Sequence, residues 1–136
     1  MIDINVIYFC YEFAMYNNVR PFVLIFVGVL LRQMCQYINR LPSPNEVLWF
    51  DPQFPSLIMN YNVANDFFFS GHTLASLIFG IELFLKDNIF VQIYAIFYMF
   101  TEIAFVLSCR AHYFMDIYGA FCTYFMMAYF YDMYFI

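Results

Sequence analysis

The fold is decided by residues 67–107, which read FFFSGHTLASLIFGIELFLKDNIFVQIYAIFYMFTEIAFVL. Two apolar segments, 67–85 and 89–107, are separated here by the polar residues 86–88. A helix of about 20 mainly apolar residues is long enough to cross the hydrocarbon core of a bilayer. The stretch is therefore predicted to form two membrane-spanning helices joined by a tight polar turn.

The composition of the whole chain agrees with a membrane protein. Of its 136 residues, 65% are apolar, 25% are aromatic and 11% are charged, and the mean hydropathy is +0.72. Soluble domains average about 45–50% apolar and about 25% charged residues, and a soluble fold of this length has too little interior for so many apolar side chains. The net charge of −5 forms no acidic or basic run, so nucleic acid is not expected as a partner.

Further spans are predicted on both sides of the hairpin. Segment 21–38 begins at Pro21, which suits the first position of a helix, and segment 112–136 is the last span. Residues 1–16 are apolar but interrupted by polar side chains, and predict either an interfacial helix or the remnant of another span. The sequence therefore predicts a single all-α domain over residues 1–136, a polytopic membrane helical bundle of four to five spans.

Other features of the chain limit its chemistry and its orientation. The connection 39–66 contains four of the five prolines and is predicted to be non-helical. The four cysteines form no CxxC pair, so neither a disulfide framework nor a zinc site is expected. Arg20 and Lys86 fall on one side of the predicted bundle, and Arg40 and Arg110 on the other. Because the two sides have equal numbers of basic residues, the membrane orientation stays open.

The only two histidines, His72 and His112, are 40 residues apart. Two spans and a tight turn lie between them, and a helix rises about 1.5 Å per residue. The hairpin therefore crosses the bilayer and returns. We expect both histidines at the same membrane face.

The first histidine lies in a segment suited to phosphate. Ser70 is a candidate N-cap, and Gly71 lets the backbone approach a ligand closely. A helix that begins here points its first N–H groups and its positive dipole end at an anion. The alternative for this segment alone is a capped helix start with no ligand.

The second histidine is followed by a carboxylate one helical turn later. His112 and Asp116 are i and i+4, and so share one helix face. The carboxylate can accept the Nδ1–H of the imidazole and leave Nε2 available as a nucleophile or base. Arg110 adds a positive charge, and the alternative is a salt bridge that stabilises a helix end. Two such segments at one face predict a site that handles phosphate.

Two further patterns concern the interior of the spans. Arg32, Gln36 and Arg40 form a polar stripe with a spacing of four residues, and polar groups in a span normally face the bundle interior. Arg32 is therefore expected to reach the site, with snorkelling to the interface as the alternative. Glu82 and Glu102 lie at equal depth, about 15 Å below the histidines. We hypothesise that they share a proton and lock the hairpin, although chance placement explains them as well.

The two histidine segments, 66–73 and 112–116, resemble the signature segments of sphingomyelin synthases and their relatives, which belong to the phosphatidic acid phosphatase type 2 superfamily. Arg32 and the segment 40–44 also resemble the region before the active-site loop of these enzymes. The order Arg-x-His-Tyr at 110–113 is similar to that of plant phosphatidylcholine:diacylglycerol cholinephosphotransferase. The resemblance extends roughly from residue 20 to the C-terminus, and it implies the helical core of that superfamily.

The resemblance also implies a role for each residue of the site. His112 attacks the phosphorus, Asp116 orients His112, and His72 protonates the departing alkoxide. Asp66 lies beside the site in the synthases. The phosphate would be held by Arg32, Arg40 and Arg110, with Ser70 and Gly71 at the helix start.

The implied function is transfer of a phosphocholine-type head group from a phosphatidylcholine-like donor to ceramide or diacylglycerol, with no cofactor and no metal. A metal site of the two histidines with Asp66 and Asp116 is the weaker alternative, because a carboxylate at i+4 is better explained as an orienting partner. The implied location is integral and multi-pass, in the Golgi, the ER or the plasma membrane. The sequence leaves the oligomeric state open.

The chain also departs from this family. Members usually have six spans, so N-terminal helices are expected to be missing or reduced to residues 1–16. Arg20-Pro21 matches part of the phosphate-binding motif of the soluble-substrate phosphatases, but Phe13 stands where that motif has lysine. Two alternatives follow, a lipid phosphate phosphatase with water as the acceptor and a non-catalytic or truncated membrane subunit.

Overall fold

The computed structural model describes residues 1–38, 69–109 and 112–135. These residues form five α-helices and no strand, so the all-α prediction is confirmed for them. The helices are α1 (Ile2–Tyr16), α2 (Arg20–Ile38), α3 (Gly71–Phe84), α4 (Ile89–Ser108) and α5 (Phe114–Phe135). The predicted connection 39–66 lies outside the described residues.

Local hydrogen bonds explain where the helices begin and end. The Ser70 hydroxyl accepts the backbone N–H of Thr73 at 3.2 Å, which makes Ser70 the N-cap that the sequence predicts. This cap also explains why α3 begins at Gly71 rather than at the start of the predicted span, residue 67. The Asn88 side chain accepts the N–H of Phe90 at 2.9 Å and so begins α4. α1 ends at Asn17, which adopts a left-handed conformation with φ 55°.

Ion pairs between helix ends show that successive helices run in opposite directions. Arg20, at the start of α2, binds Glu82 near the end of α3 and Asp132 near the end of α5. Lys86, in the turn between α3 and α4, binds Glu12 near the end of α1 at 2.6 Å. We call these five residues the Arg20 end of the bundle. The opposite end, where α2 ends and α3 and α5 begin, is called the histidine end.

Helix α1 packs lengthwise against the bundle. Its residue Asn5 accepts a hydrogen bond from the Tyr94 hydroxyl of α4 at 3.3 Å. One turn further, the Phe9 ring stacks on Phe79 of α3, with 5.2 Å between the ring centroids. These contacts differ from those of a helix that lies across the bundle end at an interface. Residues 2–16 thus form a helix of the bundle, while the two predictions for residues 1–16, an interfacial helix and the remnant of another span, stay predictions.

The core of the bundle surrounds α3. Ten of the 14 residues of α3 are buried, as expected for a helix that is apolar all round and packed on every side. Glycines allow α3 to pack closely against its neighbours. A Cβ atom at Gly28 of α2 would lie 2.7 Å from Cδ2 of Leu74, and one at Gly80 of α3 would collide with Met99 of α4. The central position of α3 fixes where its first turn lies among the other helices.

Two helices, α2 and α4, are long and apolar enough to cross a membrane. Only 17% of the most apolar 18-residue stretch of each helix is buried in the bundle, whereas the core helix of a soluble protein is mostly buried. Phe90, Phe97 and Phe100 of α4 illustrate the exposed surface, since each is more than half exposed. Helix α3 is apolar but shorter. Length, composition and exposure therefore indicate membrane association.

Candidate functional site

The two histidine segments meet at the histidine end. The backbone N–H of Ser70 donates to the backbone carbonyl of Asp116 at 3.1 Å, which joins the start of α3 to the start of α5. Gly119, one turn along α5, lies against Phe69, because a Cβ atom at this glycine would be 3.1 Å from Phe69 Cβ. The prediction that both segments lie at one end of the bundle is therefore confirmed.

His72 lies close to the other basic groups of the site. It interacts electrostatically with His112, which precedes α5, and with Arg32 of α2. Three separate parts of the chain thus contribute a basic side chain to this end. Among the described residues of this end, the acidic side chain beside them is Asp116.

Asp116 contacts both the histidine and the start of its own helix. Its Oδ2 atom lies 3.4 Å from Nδ1 of His112 and accepts the backbone N–H of Tyr113 at 2.9 Å. The bond to Tyr113 is the carboxylate half of a capping box, in which the side chain of the third helical residue accepts the backbone N–H of the residue that precedes the helix. Asp116 therefore caps the start of α5 through the Tyr113 N–H and also lies beside Nδ1 of His112.

The acid and the histidine are enclosed. Their side chains are 5% and 9% exposed, respectively. The contact of 3.4 Å is longer than the usual N–H···O distance of about 2.7–3.2 Å, and catalytic hydrogen bonds often reach their full geometry only in the substrate complex. The pair is therefore positioned for an orienting role inside a site that is largely closed to water.

Arg32 reaches the start of α3, as the polar stripe predicts. A Cβ atom at Gly71 would lie 3.2 Å from Arg32 Nε and 3.5 Å from Cζ. The sequence assigns Gly71 to close approach of a ligand, whereas the structure shows close approach of an arginine. Any larger residue at position 71 would push the guanidinium away. Gly71 therefore places a positive charge beside the first turn of α3.

Three of the predicted residues lie outside the described residues. These are Asp66, Arg40 and Arg110. Their assignment to the site stays a prediction. The alternative metal site requires Asp66 and is likewise untested, while the described residues contain no group of three or more His, Cys, Asp or Glu side chains placed to hold a metal ion.

The hypothesis that Glu82 and Glu102 share a proton is wrong. The Glu82 carboxylate binds Arg20, while a carboxylate oxygen of Glu102 lies 3.8 Å from the backbone amine of Met1. The predicted equal depth is also wrong: Glu82 lies at the Arg20 end, near the end of α3, whereas Glu102 lies beside Met1, at the other end of α1. The two residues are equally far in sequence from the histidines, but they are not equally far from the turn at 86–88, which sets their depth. Each carboxylate therefore meets a different neighbouring helix.

Two polar residues of this end were not predicted as site residues. Thr73 is 0% exposed, and its hydroxyl has no hydrogen-bond partner among the described residues. The Nε2 atom of Gln36 is also buried and without a partner within that part of the chain. Gln36 belongs to the polar stripe of α2, and this pattern could have identified it as a residue of the site. Thr73 follows His72 directly, but the sequence does not reveal whether a hydroxyl is hydrogen-bonded.

Comparison of the chain with models of protein families, with curated proteins and with solved structures finds no match. The resemblance to sphingomyelin synthases consequently depends on the residues of the two histidine segments. The function is argued below from the chemistry that those residues support.

Proposed function

We propose that this chain is a polytopic membrane enzyme that transfers a phosphocholine-type head group from a glycerophospholipid to the hydroxyl group of ceramide or diacylglycerol. The observation that carries the proposal is the meeting of His72, His112 and Asp116 at one end of the bundle, with Arg32 beside them. In this proposal α2 to α5 span the bilayer in an arrangement like that of the phosphatidic acid phosphatase type 2 superfamily. The site then lies at the depth of the lipid head groups.

In the first proposed step His112 is the nucleophile. Its Nε2 lone pair attacks phosphorus, an N–P bond forms, and the P–O bond to the diacylglycerol oxygen breaks. His72, in its protonated form, gives its proton to that oxygen as it leaves. Asp116 stabilises the positive charge that develops on the His112 ring, in the manner of the carboxylate of a Ser-His-Asp triad.

In the second proposed step the acceptor hydroxyl replaces the leaving group. Its oxygen attacks phosphorus while His72, now neutral, takes the hydroxyl proton. The N–P bond breaks, and His112 returns to its neutral form. Arg32 supports both steps, because a fixed cation beside the phosphoryl oxygens stabilises the charge of the transition state.

The enclosure of the site favours transfer over hydrolysis. His112 and Asp116 are almost buried, and closing a site to water protects a reactive intermediate from hydrolysis. A lipid acceptor can enter from the apolar surface of the bundle, while water is kept away from the phosphohistidine. This supports the transferase rather than the phosphatase.

The experiment that tests the proposal uses the purified chain in detergent with head-group-labelled phosphatidylcholine and either ceramide or diacylglycerol. Formation of a new labelled lipid, lost in the His112→Gln variant, is the expected result. Water-soluble label would instead identify a phosphatase. Absence of turnover, with wild type and His112→Gln indistinguishable, would overturn the enzyme proposal and favour a non-catalytic subunit.

A further inference from the structure

Thr73 and Gln36 share an unusual property at the histidine end. The hydroxyl of Thr73 and the amide nitrogen of Gln36 are both buried, and within the described part of the chain neither has a hydrogen-bond partner. Buried polar groups in proteins are nearly always hydrogen-bonded, because losing the bonds to water without replacement is unfavourable. A buried donor without a partner therefore calls for an explanation.

The position of Thr73 on α3 directs its side chain toward α4. Thr73 precedes Gly80 by seven residues and so shares its helix face, and a Cβ atom at Gly80 would collide with Met99 of α4. Thr73 therefore faces α4, on the side where the chain continues to His112. Side chains on a helix also tilt toward its N-terminus, which is the histidine end for α3.

The position of Gln36 relates it to Arg32. The two residues are i and i+4 on α2 and lie on the same face. Arg32 packs against Gly71 at the start of α3. Gln36 is therefore one turn closer to the histidine end of the same helix, beyond the guanidinium. Thr73 and Gln36 thus flank the first turn of α3 from two sides.

Both groups can donate a hydrogen bond, and the start of α3 attracts anions. The first N–H groups of a helix and its positive dipole end favour a phosphoryl group, and Arg32, His72 and His112 add basic side chains. A ligand that satisfies all these groups must present several oxygen acceptors close together. A tetrahedral phosphoryl group does so, whether it belongs to a lipid head group or to free phosphate.

We infer that the Thr73 hydroxyl and the Gln36 amide donate hydrogen bonds to the oxygens of a phosphoryl group bound between the two histidines. This deepens the proposed function and rests on it for the placement of the phosphoryl group. Thr73 and Gln36 are binding residues that hold the ligand, while the histidines carry the chemistry. The enclosure of Thr73 matches that of Asp116 and His112.

The test compares ligand binding with thermal stability, because a Thr73 that binds the ligand and a Thr73 that only stabilises the fold predict opposite results. Thr73→Val keeps the shape of the side chain and removes the hydroxyl, and Thr73→Ser restores it. The probes are inorganic phosphate and dihexanoyl-phosphatidylcholine, each titrated against the purified full chain in detergent. We expect Thr73→Val to weaken binding of at least one probe about tenfold, with Tm unchanged or raised, and Thr73→Ser to bind like wild type.

Three further variants complete the test. Ser76→Ala removes another fully buried hydroxyl of α3, one that already donates to the Thr73 carbonyl at 2.9 Å, and is expected to lower Tm without changing the Kd of either probe. Gln36→Glu replaces the donor by an anion and is expected to weaken binding more strongly than Gln36→Leu. A Thr73→Val variant with lowered Tm and unchanged Kd would overturn the inference, as would a wild-type chain that binds neither probe.

The two probes and the turnover assay separate the possible outcomes. A loss confined to dihexanoyl-phosphatidylcholine supports a lipid head group as the ligand, and an equal loss for inorganic phosphate supports recognition of the phosphoryl group alone. Binding is measured without turnover. A chain that binds through Thr73 but transfers no head group would therefore refute the proposed reaction and leave this inference standing.

Discussion

The Arg20 end and the histidine end contain similar residues but balance their charges differently. At the Arg20 end each cation meets carboxylates: Arg20 contacts Glu82 and lies 3.0 Å from Asp132, and Lys86 lies 2.6 Å from Glu12. At the histidine end, His72 interacts with two other basic groups, Arg32 and His112, and within the described residues the carboxylate of Asp116 lies beside one of the three, His112. Charges balanced by the protein itself stabilise the fold, whereas an excess of one sign favours a ligand of the other.

The two ends are also connected through the same helices. Arg20 links α2, α3 and α5, and these helices contribute Arg32, His72 and Asp116 to the opposite end. The Arg20 end can therefore hold the helices together without taking part in any reaction. Variants at the two ends should consequently separate stability from activity.

The largest effect is expected for His112→Gln. Loss of the proposed nucleophile should reduce the initial rate of head-group transfer by about 10⁴-fold or more, while the midpoint of thermal unfolding changes little, because glutamine retains part of the size and polarity of histidine. The rate is measured with labelled phosphatidylcholine and ceramide. A variant that keeps a tenth of the wild-type rate would exclude His112 as the nucleophile.

The next largest effect is expected for Arg20→Met, and it concerns stability. The Glu82 side chain is 8% exposed, and removal of one partner of a buried ion pair costs about 3–5 kcal/mol. The free energy of unfolding in mixed detergent micelles measures this change. The matched control is the double variant Arg20→Met with Glu82→Met, which should recover most of the loss, since neither charge then remains buried alone.

Asp116→Asn should lower both the transfer rate and the free energy of unfolding, the rate by less than His112→Gln and the free energy by less than Arg20→Met. The amide preserves the shape of the side chain and weakens both the orientation of His112 and the bond to the Tyr113 N–H, so we expect a rate about 10²-fold lower and a loss of about 1 kcal/mol in stability. Rate and unfolding are measured on the same preparation. Loss of stability with an unchanged rate would show that Asp116 caps the helix and does not orient His112.

The smallest effect is a pH dependence at the Arg20 end. Burial raises the pKa of Glu12, but hydrogen bonds from Lys86, Tyr8 and Asn18 outweigh burial and bring this pKa below its ordinary value of 4.5. A carboxyl group with a lowered pKa in the folded state contributes stability above its unfolded pKa and loses it as the pH falls through the folded pKa. The free energy of unfolding of the wild type should therefore exceed that of Glu12→Gln by about 1 kcal/mol at pH 7. This difference should shrink below pH 4.5 and disappear as the pH falls through the lowered pKa of Glu12. A constant difference between pH 7 and pH 3 would contradict this account.

Features that depend on helix length could be predicted from the sequence, and features that depend on rotation about the helix could not. The common end of His72 and His112 follows from the lengths of two helices and a turn. The equal depth predicted for Glu82 and Glu102 was wrong, because it was counted from the histidines rather than from the turn at 86–88, and their partners Arg20 and Met1 come from other helices.

The same limit applies to the details of the site. The N-cap at Ser70 is a local property and was predicted correctly. The packing of Arg32 on Gly71, and the burial of the Thr73 hydroxyl without a partner among the described residues, depend on how α2 and α4 lie against α3. Such contacts between helices distant in sequence require the structure.

The bond from the Ser70 N–H to the Asp116 carbonyl joins the two histidine segments through main-chain atoms alone. Side chains on both segments can therefore be exchanged without removing the link that aligns them, with proline at position 70 as the exception because it lacks an N–H. The alignment is a property of the backbone, and in the proposed enzyme the choice of head group is left to the side chains. A library that varies the side chains around this bond could redirect the site to other head groups within a constant frame.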